Sequence, residues 1–266
     1  MVRNMSKLLT LLIASCLLST NKEERPRCSP IRGADHLWAR SGLRFVLVGE
    51  THGTTETPAI FGDLVCSARV TKRPIIVALE FREQKVLDRF LESRSHELRI
   101  KELLSADEWK GTDGRASEAM LLLLERLGDM KADGSLLSID AFSAASDSAA
   151  RDEEAMAAAL IWASASRPDS LVIVLTGNVH ASKKKLLEVG PYQLMGSFLP
   201  TTQTISLLVT DRGGEAWNCQ SGSCEPHKLA SIGGMDWGIT LISPHPGYDG
   251  ILSTGLPATA SIPAKR

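Results

Sequence analysis

Aromatic residues are scarce in this chain: they make up 5% of its 266 residues, and Tyr192 and Tyr248 are its two tyrosines. A wide, flat apolar ligand would therefore meet few aromatic walls, and only these two side chains could supply a phenolate. Charge of one sign is lacking as well. The 30 basic residues are matched by 31 acidic ones, and Lys183-Lys184-Lys185 is the one basic run, so a nucleic-acid-binding face is not expected. The chain also lacks an apolar run of the roughly 20 residues that a bilayer-spanning helix needs. Two common hydrolase signatures are missing: there is no Gly-x-Ser-x-Gly nucleophile elbow and no His-Glu-x-x-His zinc helix.

The amino terminus differs from the rest. Arg3 and Lys7 precede the apolar stretch Leu8 to Leu18, and the chain turns polar at Thr20-Asn21-Lys22-Glu23-Glu24. Residues 1–20 read as a signal peptide, so the protein is expected to be exported, with membrane contact only through the signal or a lipid. Ile13-Ala14-Ser15-Cys16 resembles a bacterial lipobox, in which cleavage precedes the cysteine and Cys16 carries the lipid. An ordinary cleavable signal with a chance cysteine is the alternative. Either way the destination is the periplasm, free or membrane-anchored.

Without Cys16 the cysteines are Cys28, Cys66, Cys219 and Cys224, an even number in a chain bound for an oxidising compartment. Four cysteines permit three pairings. Cys219 and Cys224, with Gly and Ser between them, read as a small disulfide-closed loop; a zinc knuckle would want a second close pair, which the sequence lacks. Cys28 with Cys66 then follows by elimination.

Hydrophobic residues make up 43% of the chain and charged ones 23%, which suits one globular domain. We place it at 41–256, after a leader at 21–40 and before a loose tail at 257–266. Four apolar runs stand out: Phe45 to Val48, Ile75 to Leu79, Leu136 to Ile139 and Leu171 to Leu175. Continuous runs of this length suit strands buried on both faces of a parallel sheet. Segments of helical period lie between them, at 83–98, 116–130 and 151–165. The expected fold class is thus α/β, a mainly parallel sheet flanked by helices. Shorter, turn-bounded strands at 204–209, 215–218 and 238–242 follow at the carboxyl end, some of them antiparallel.

Each apolar run leads into polar residues, and open α/β sheets place ligands at the carboxyl ends of their strands. The first run ends in Gly49-Glu50-Thr51-His52-Gly53, the second in Glu80, the third in Asp140, and the fourth in Gly177-Asn178-Val179-His180. Gly-x-x-His thus follows an apolar strand twice, and each glycine lets the backbone turn sharply over the sheet end. A histidine in such a place is otherwise a hydrogen-bonded core residue. His52 and Glu80 are separated by about one βαβ unit, so neighbouring strands are expected for them. His52, Glu80, His180 and Glu50 are therefore the candidate catalytic residues, with an imidazole as general base and carboxylates to orient it. His52, Glu80 and His180 would equally serve as a divalent-metal triad.

At these residues the chain resembles the superfamily that joins erythromycin esterases, the haem-binding ChaN lipoproteins, and the Tiki and TraB proteins. The resemblance rests on Val48-Gly49-Glu50-Thr51-His52-Gly53-Thr54, on Ala78-Leu79-Glu80 and on Thr176-Gly177-Asn178-Val179-His180-Ala181. The run from His52 to Glu56 is similar to the esterase branch, whereas the spacing Gly-Glu-x-His is that of the ChaN branch. Asp113-Gly114-Arg115-Ala116-Ser117, and Arg151-Asp152 with Met156, look like periplasmic members. By this resemblance Arg115 and Arg151 face the pocket and bind an anionic group, and Glu56 and Asn178 join them as substrate-binding positions. Read without it, both arginines are surface or helix-cap residues.

Branches of the superfamily open a macrolide ring without metal, bind haem, or cleave peptides with a divalent metal. Two functions are therefore carried forward. One is a hydrolase acting on a small molecule or peptide, with or without metal; the other is a haem-binding lipoprotein of iron uptake.

Overall fold

Valine, isoleucine and leucine fill both faces of the central strands, as a sheet covered on both sides requires. The computed structural model describes residues 28–264 apart from 94, 187 and 232–235, so residues 1–20 and Cys16 lie outside the described residues. Strands β1 (Phe45–Glu50), β2 (Ile75–Leu79), β3 (Ser138–Ala141), β4 (Leu171–Gly177) and β5 (Thr204–Thr210) are mutually parallel where they pair. A separate hairpin follows, β6 (Gly214–Gln220) and β7 (Ser223–Leu229). The last two strands, β8 (Gly238–Thr240) and β9 (Gly250–Ser253), pair antiparallel, and β9 joins β5 in parallel. The seven-stranded sheet runs β3-β2-β4-β1-β5-β9-β8. This is the α/β fold that the sequence implies, with its extra carboxyl-terminal strands.

Helices cover both faces: α1 (Ala34–Trp38), α2 (Glu56–Ser67), α3 (Gln84–Glu92), α4 (His96–Ser105), α5 (Glu118–Ala132), α6 (Ala149–Ala165), and the single turns α7 (Asn178–Ala181) and α8 (Met195–Phe198). Strand alternation divides the core. Val46, Val48, Val77 and Ile173 pack toward Phe61 and Leu64 of α2, Phe90 of α3 and Leu124 of α5. Leu47, Ile76 and Val174 pack on the other face toward Met156 and Leu160 of α6 and toward Met195.

Strand order corrects one expectation. β1 and β2 are not neighbours, because β4 pairs with both and lies between them. The crossover through α2 skips one position, and β4, buried along its whole length, fills that interior place. His180, which follows β4, is thereby central to the site instead of flanking it. A second expectation, one helix over 83–98, becomes two, since the Ser95 hydroxyl accepts from the Leu98 N–H and caps α4.

Both boundaries of the packed unit lie beyond 41–256. On the amino side Ile31 and Leu37 are buried, α1 packs in the core, and Cys28 is bonded to Cys66 of α2. Cys219 is bonded to Cys224 across the β6–β7 hairpin. On the carboxyl side, residues 257–264 are docked, not loose. Thr54 bridges Ala260, Ser117 bridges Pro263, and the Ala258 N–H donates to the Gly213 carbonyl. The buried Ser261 hydroxyl accepts from the Ala119 N–H, a donor in the first turn of α5 that has no partner within its own helix. Replacing Ser261 by Ala should therefore cost about 1–3 kcal/mol, the penalty of an orphaned buried donor, read as a lower urea midpoint at unchanged slope.

Candidate functional site

Glu80 immediately follows β2, and its side chain is 7% exposed. A carboxylate taken out of water needs compensation, and this one has five partners. Its Oε2 accepts from the Thr176 hydroxyl and from the Gly177 N–H, both at 2.7 Å, at the end of the adjacent β4. Its Oε1 lies 3.3 Å from Arg115 Nη1 and 3.8 Å from Nε2 of both His52 and His180. Two imidazoles from β1 and β4 thus converge on one oxygen supplied from β2.

Each imidazole is held from behind by a second buried carboxylate. His52 Nδ1 is 2.9 Å from Glu50 Oε1, two residues back on β1, and His180 Nδ1 is 2.7 Å from Glu153 Oε1 of α6. Glu153 also accepts the Met195 N–H at 2.7 Å, which fixes its rotamer. With Nδ1 directed at a carboxylate, each ring turns Nε2 toward the centre, free to give or take a proton. Gly177 forms the floor: a methyl group there would stand 3.2 Å from His52 Nε2 and 3.6 Å from Glu80 Oε2. Gly49 lets α7 settle directly on β1, since a side chain would come within 2.8 Å of the Ala181 Cβ. A cleft of about 280 Å³ opens beside the centre, with Glu80, Arg115, Arg82 and Glu108 in its wall.

Electrostatics follow from this arrangement. Burial works against a charged His52, but the hydrogen bond to Glu50 and the charges of Glu50 and Glu80 outweigh it and raise the imidazole above its ordinary value. Burial likewise opposes His180, and Glu153 with Glu80 overcomes it in the same direction. Glu80 moves the other way. Burial would raise it, yet the two imidazoles, the Gly177 N–H and the Thr176 hydroxyl hold it below the usual carboxylate value. Glu50 is raised by burial, only partly offset by His52.

Of the positions singled out in the sequence, His52, Glu80, His180 and Glu50 meet in one site. Arg115 reaches it too and stands in the wall of the cleft, with its guanidinium paired to Asp113, at 2.5 and 2.9 Å, and to Glu80, whose carboxylate it fixes. Arg151 does not reach the pocket; it is exposed on α6 and paired with Asp147 one turn earlier. Glu56 is not a pocket residue either, because its carboxylate accepts the Thr259 N–H and staples the carboxyl-terminal segment to α2. Asn178 starts α7, where its carbonyl accepts the Tyr248 hydroxyl at 2.6 Å. Asp140 stays on the edge strand β3, away from the imidazoles. Glu153 escaped sequence reasoning. Its signal was a carboxylate in register with Met156, Ala157 and Leu160, on the apolar face of a helix.

His52, Glu80 and His180, the anticipated metal triad, converge without the disposition of a preformed metal site. Among the described residues no three His, Cys, Asp or Glu side chains are disposed to hold a metal ion. Glu80 explains this: Oε2 is occupied by two hydrogen bonds, and Oε1 already faces the Arg115 cation.

No protein-family model matches the chain, and no curated protein matches it. Its fold is that of several solved structures. The type III effector HopBA1 has 13% identity and a TM-score of 0.53, covering 89% of this chain and all 100% of its own. A succinoglycan biosynthesis protein has 12% identity and a TM-score of 0.56, over 76% of this chain and 75% of that one. Erythromycin esterase EreC, in its open conformation, has 9% identity and a TM-score of 0.50, over 84% of this chain and 90% of that one. At such identities the likeness shows the fold alone, one shared with an erythromycin esterase.

The Glu153 to His180 contact generates a prediction. Glu153→Gln keeps an acceptor for the Met195 N–H and removes the charge, so His180 should titrate at lower pH, read from its ring protons by NMR. The folded imidazole is raised, so its stabilising contribution is full below the ordinary histidine value and fades as pH rises through the folded value. Unfolding midpoints of wild type and variant should differ most in mild acid and converge at alkaline pH.

Proposed function

We propose that this protein is an exported hydrolase that activates water where His52, Glu80 and His180 meet, without a metal ion. The observation that carries the reading is the pair of imidazole Nε2 atoms, each 3.8 Å from Glu80 Oε1 and each backed by a buried carboxylate. One imidazole acts as base and the other as acid. Neutral His52 takes a proton from water as its oxygen bonds to the substrate's acyl carbon, and protonated His180 gives its proton to the leaving alkoxide or amine. Glu80 lies between them and stabilises whichever ring carries the charge, while Arg115 and Asp113 hold Glu80 in place. The substrate is a small ester or a peptide that fits the adjoining cleft.

Two disulfides support the extracytoplasmic part of the proposal, because such bonds persist in oxidising compartments. The haem-binding alternative draws no comparable support. The Tyr248 hydroxyl is spent on the Asn178 carbonyl, and burial, with Glu188 nearby, pushes its pKa up to about 12, which disfavours a phenolate ligand.

The test is hydrolysis of nitrophenyl esters and acylated dipeptides by chelator-treated protein. His52→Ala and Glu80→Gln should each lower kcat/KM by about 10²- to 10⁴-fold in protein that remains folded, with a lower unfolding midpoint for His52→Ala because it leaves the buried Glu50 carboxylate without its imidazole. Wild-type protein that turns over neither substrate class, or variants with full activity, would overturn the proposal. A haem absorbance band near about 400 nm that disappears in His52→Ala would establish the binding alternative in its place.

A further inference from the structure

The β6–β7 hairpin is not part of the main sheet, yet it touches both loops that carry the candidate site. The Trp217 N–H donates to the Gly53 carbonyl at 2.9 Å, one residue after His52. The Trp217 indole N–H donates to the Thr112 carbonyl at 3.0 Å, three residues before Arg115. Between the two loops the fit leaves no room for a side chain. A methyl group on Gly53 would lie 1.9 Å from the Trp217 carbonyl oxygen; one on Gly114 would lie 2.4 Å from it and 2.9 Å from the Gly53 nitrogen. Both glycines also adopt positive φ, 81° and 91°, where an L side chain is strained.

The hairpin is built to keep its shape. Ser221 and Gly222 both have positive φ, 51° and 85°, as a two-residue type I′ turn demands, and Cys219 faces Cys224 in the register just behind it. Disulfide and turn together set which face β6 presents, and Cys219 Sγ lies 3.4 Å from the same Thr112 carbonyl that receives the indole. At its base the hairpin is tied to the carboxyl-terminal segment, through the Glu215 N–H to Ala258 and the Ala258 N–H to Gly213.

We propose that this hairpin is a clamp that sets the distance between the His52 loop, 51–54, and the Arg115 loop, 111–115, with Trp217 as the positioning residue at its centre. Glu80 meets His52 from one loop and Arg115 from the other, so a change in their separation alters how its Oε1 is shared. The consequence for turnover rests on the hydrolytic reading; the clamp itself does not.

Trp217→Phe tests it in the full disulfide-bonded protein, since it keeps an aromatic ring in place while removing the indole donor and the outer part of the ring. Hydrogen–deuterium exchange followed by mass spectrometry should show faster exchange in 51–54 and 111–115, with β2, β4 and β5 unchanged. The double variant Cys219→Ser with Cys224→Ser should give the same two-loop pattern. If wild-type protein hydrolyses a test ester, Trp217→Phe should lower kcat about 10- to 100-fold with KM nearly unchanged, the size expected when a reacting group is misplaced by a fraction of an ångström to one ångström. Wild-type protein without turnover would overturn the hydrolytic reading, and the exchange pattern would still decide the clamp. Unchanged exchange in both loops, acceleration spread across the sheet, or outright unfolding of Trp217→Phe would overturn the clamp, because the hairpin would then be either idle or part of the fold as a whole.

Discussion

A carboxylate buried at the end of a parallel strand sets the conditions for everything around Glu80. Leaving it uncompensated would cost several kcal/mol, so its neighbourhood is assembled from groups that favour the ionised form. The Thr176 hydroxyl and the Gly177 N–H come from the adjacent strand at no extra ordering cost, because β4 is already held by its pairing to β2 and β1. Arg115 brings a fixed cation from the loop before α5. The two imidazoles complete the shell, and the same carboxylate that they stabilise raises their own affinity for protons.

This mutual dependence makes the two histidines similar in chemistry and different in construction. His52 obtains its carboxylate locally, from Glu50 two residues earlier on the same strand end. His180 obtains its partner from the second turn of α6, the helix that precedes β4. The first pair is as rigid as β1. The second depends on how α6, through Met156, Ala157 and Leu160, seats against the sheet and Met195, so packing in the second core layer bears directly on the orientation of His180.

The fold is shared with an esterase, an effector and a biosynthesis protein, which is what a common architecture with exchangeable strand-end residues permits. The scaffold supplies a row of strand carboxyl ends and the glycines that let loops approach them closely. The chemistry lies in which side chains stand there and in what holds them from behind.

His52, Glu80 and His180 were legible in the sequence because each follows an apolar run directly, and a strand buried on both faces delivers its next residues to one edge of the sheet. The disulfide of Cys219 and Cys224 was legible from their short separation and from the Gly and Ser between them. Helix α2, Glu153 and the docking of residues 257–264 were not, because each depends on contacts distant in sequence: a helix covering a face, a carboxylate reaching back to a histidine, a segment bridging to Thr54 and Ser117. Strand order was misread for the same reason. Local pattern determined that strands would form, where they would end and which polar residues would stand at those ends. Only tertiary structure decided that β4 lies between β1 and β2, and so that one carboxylate oxygen faces two imidazoles and a guanidinium, because the order of parallel strands is set by how whole faces are buried and not by the residues next in the chain.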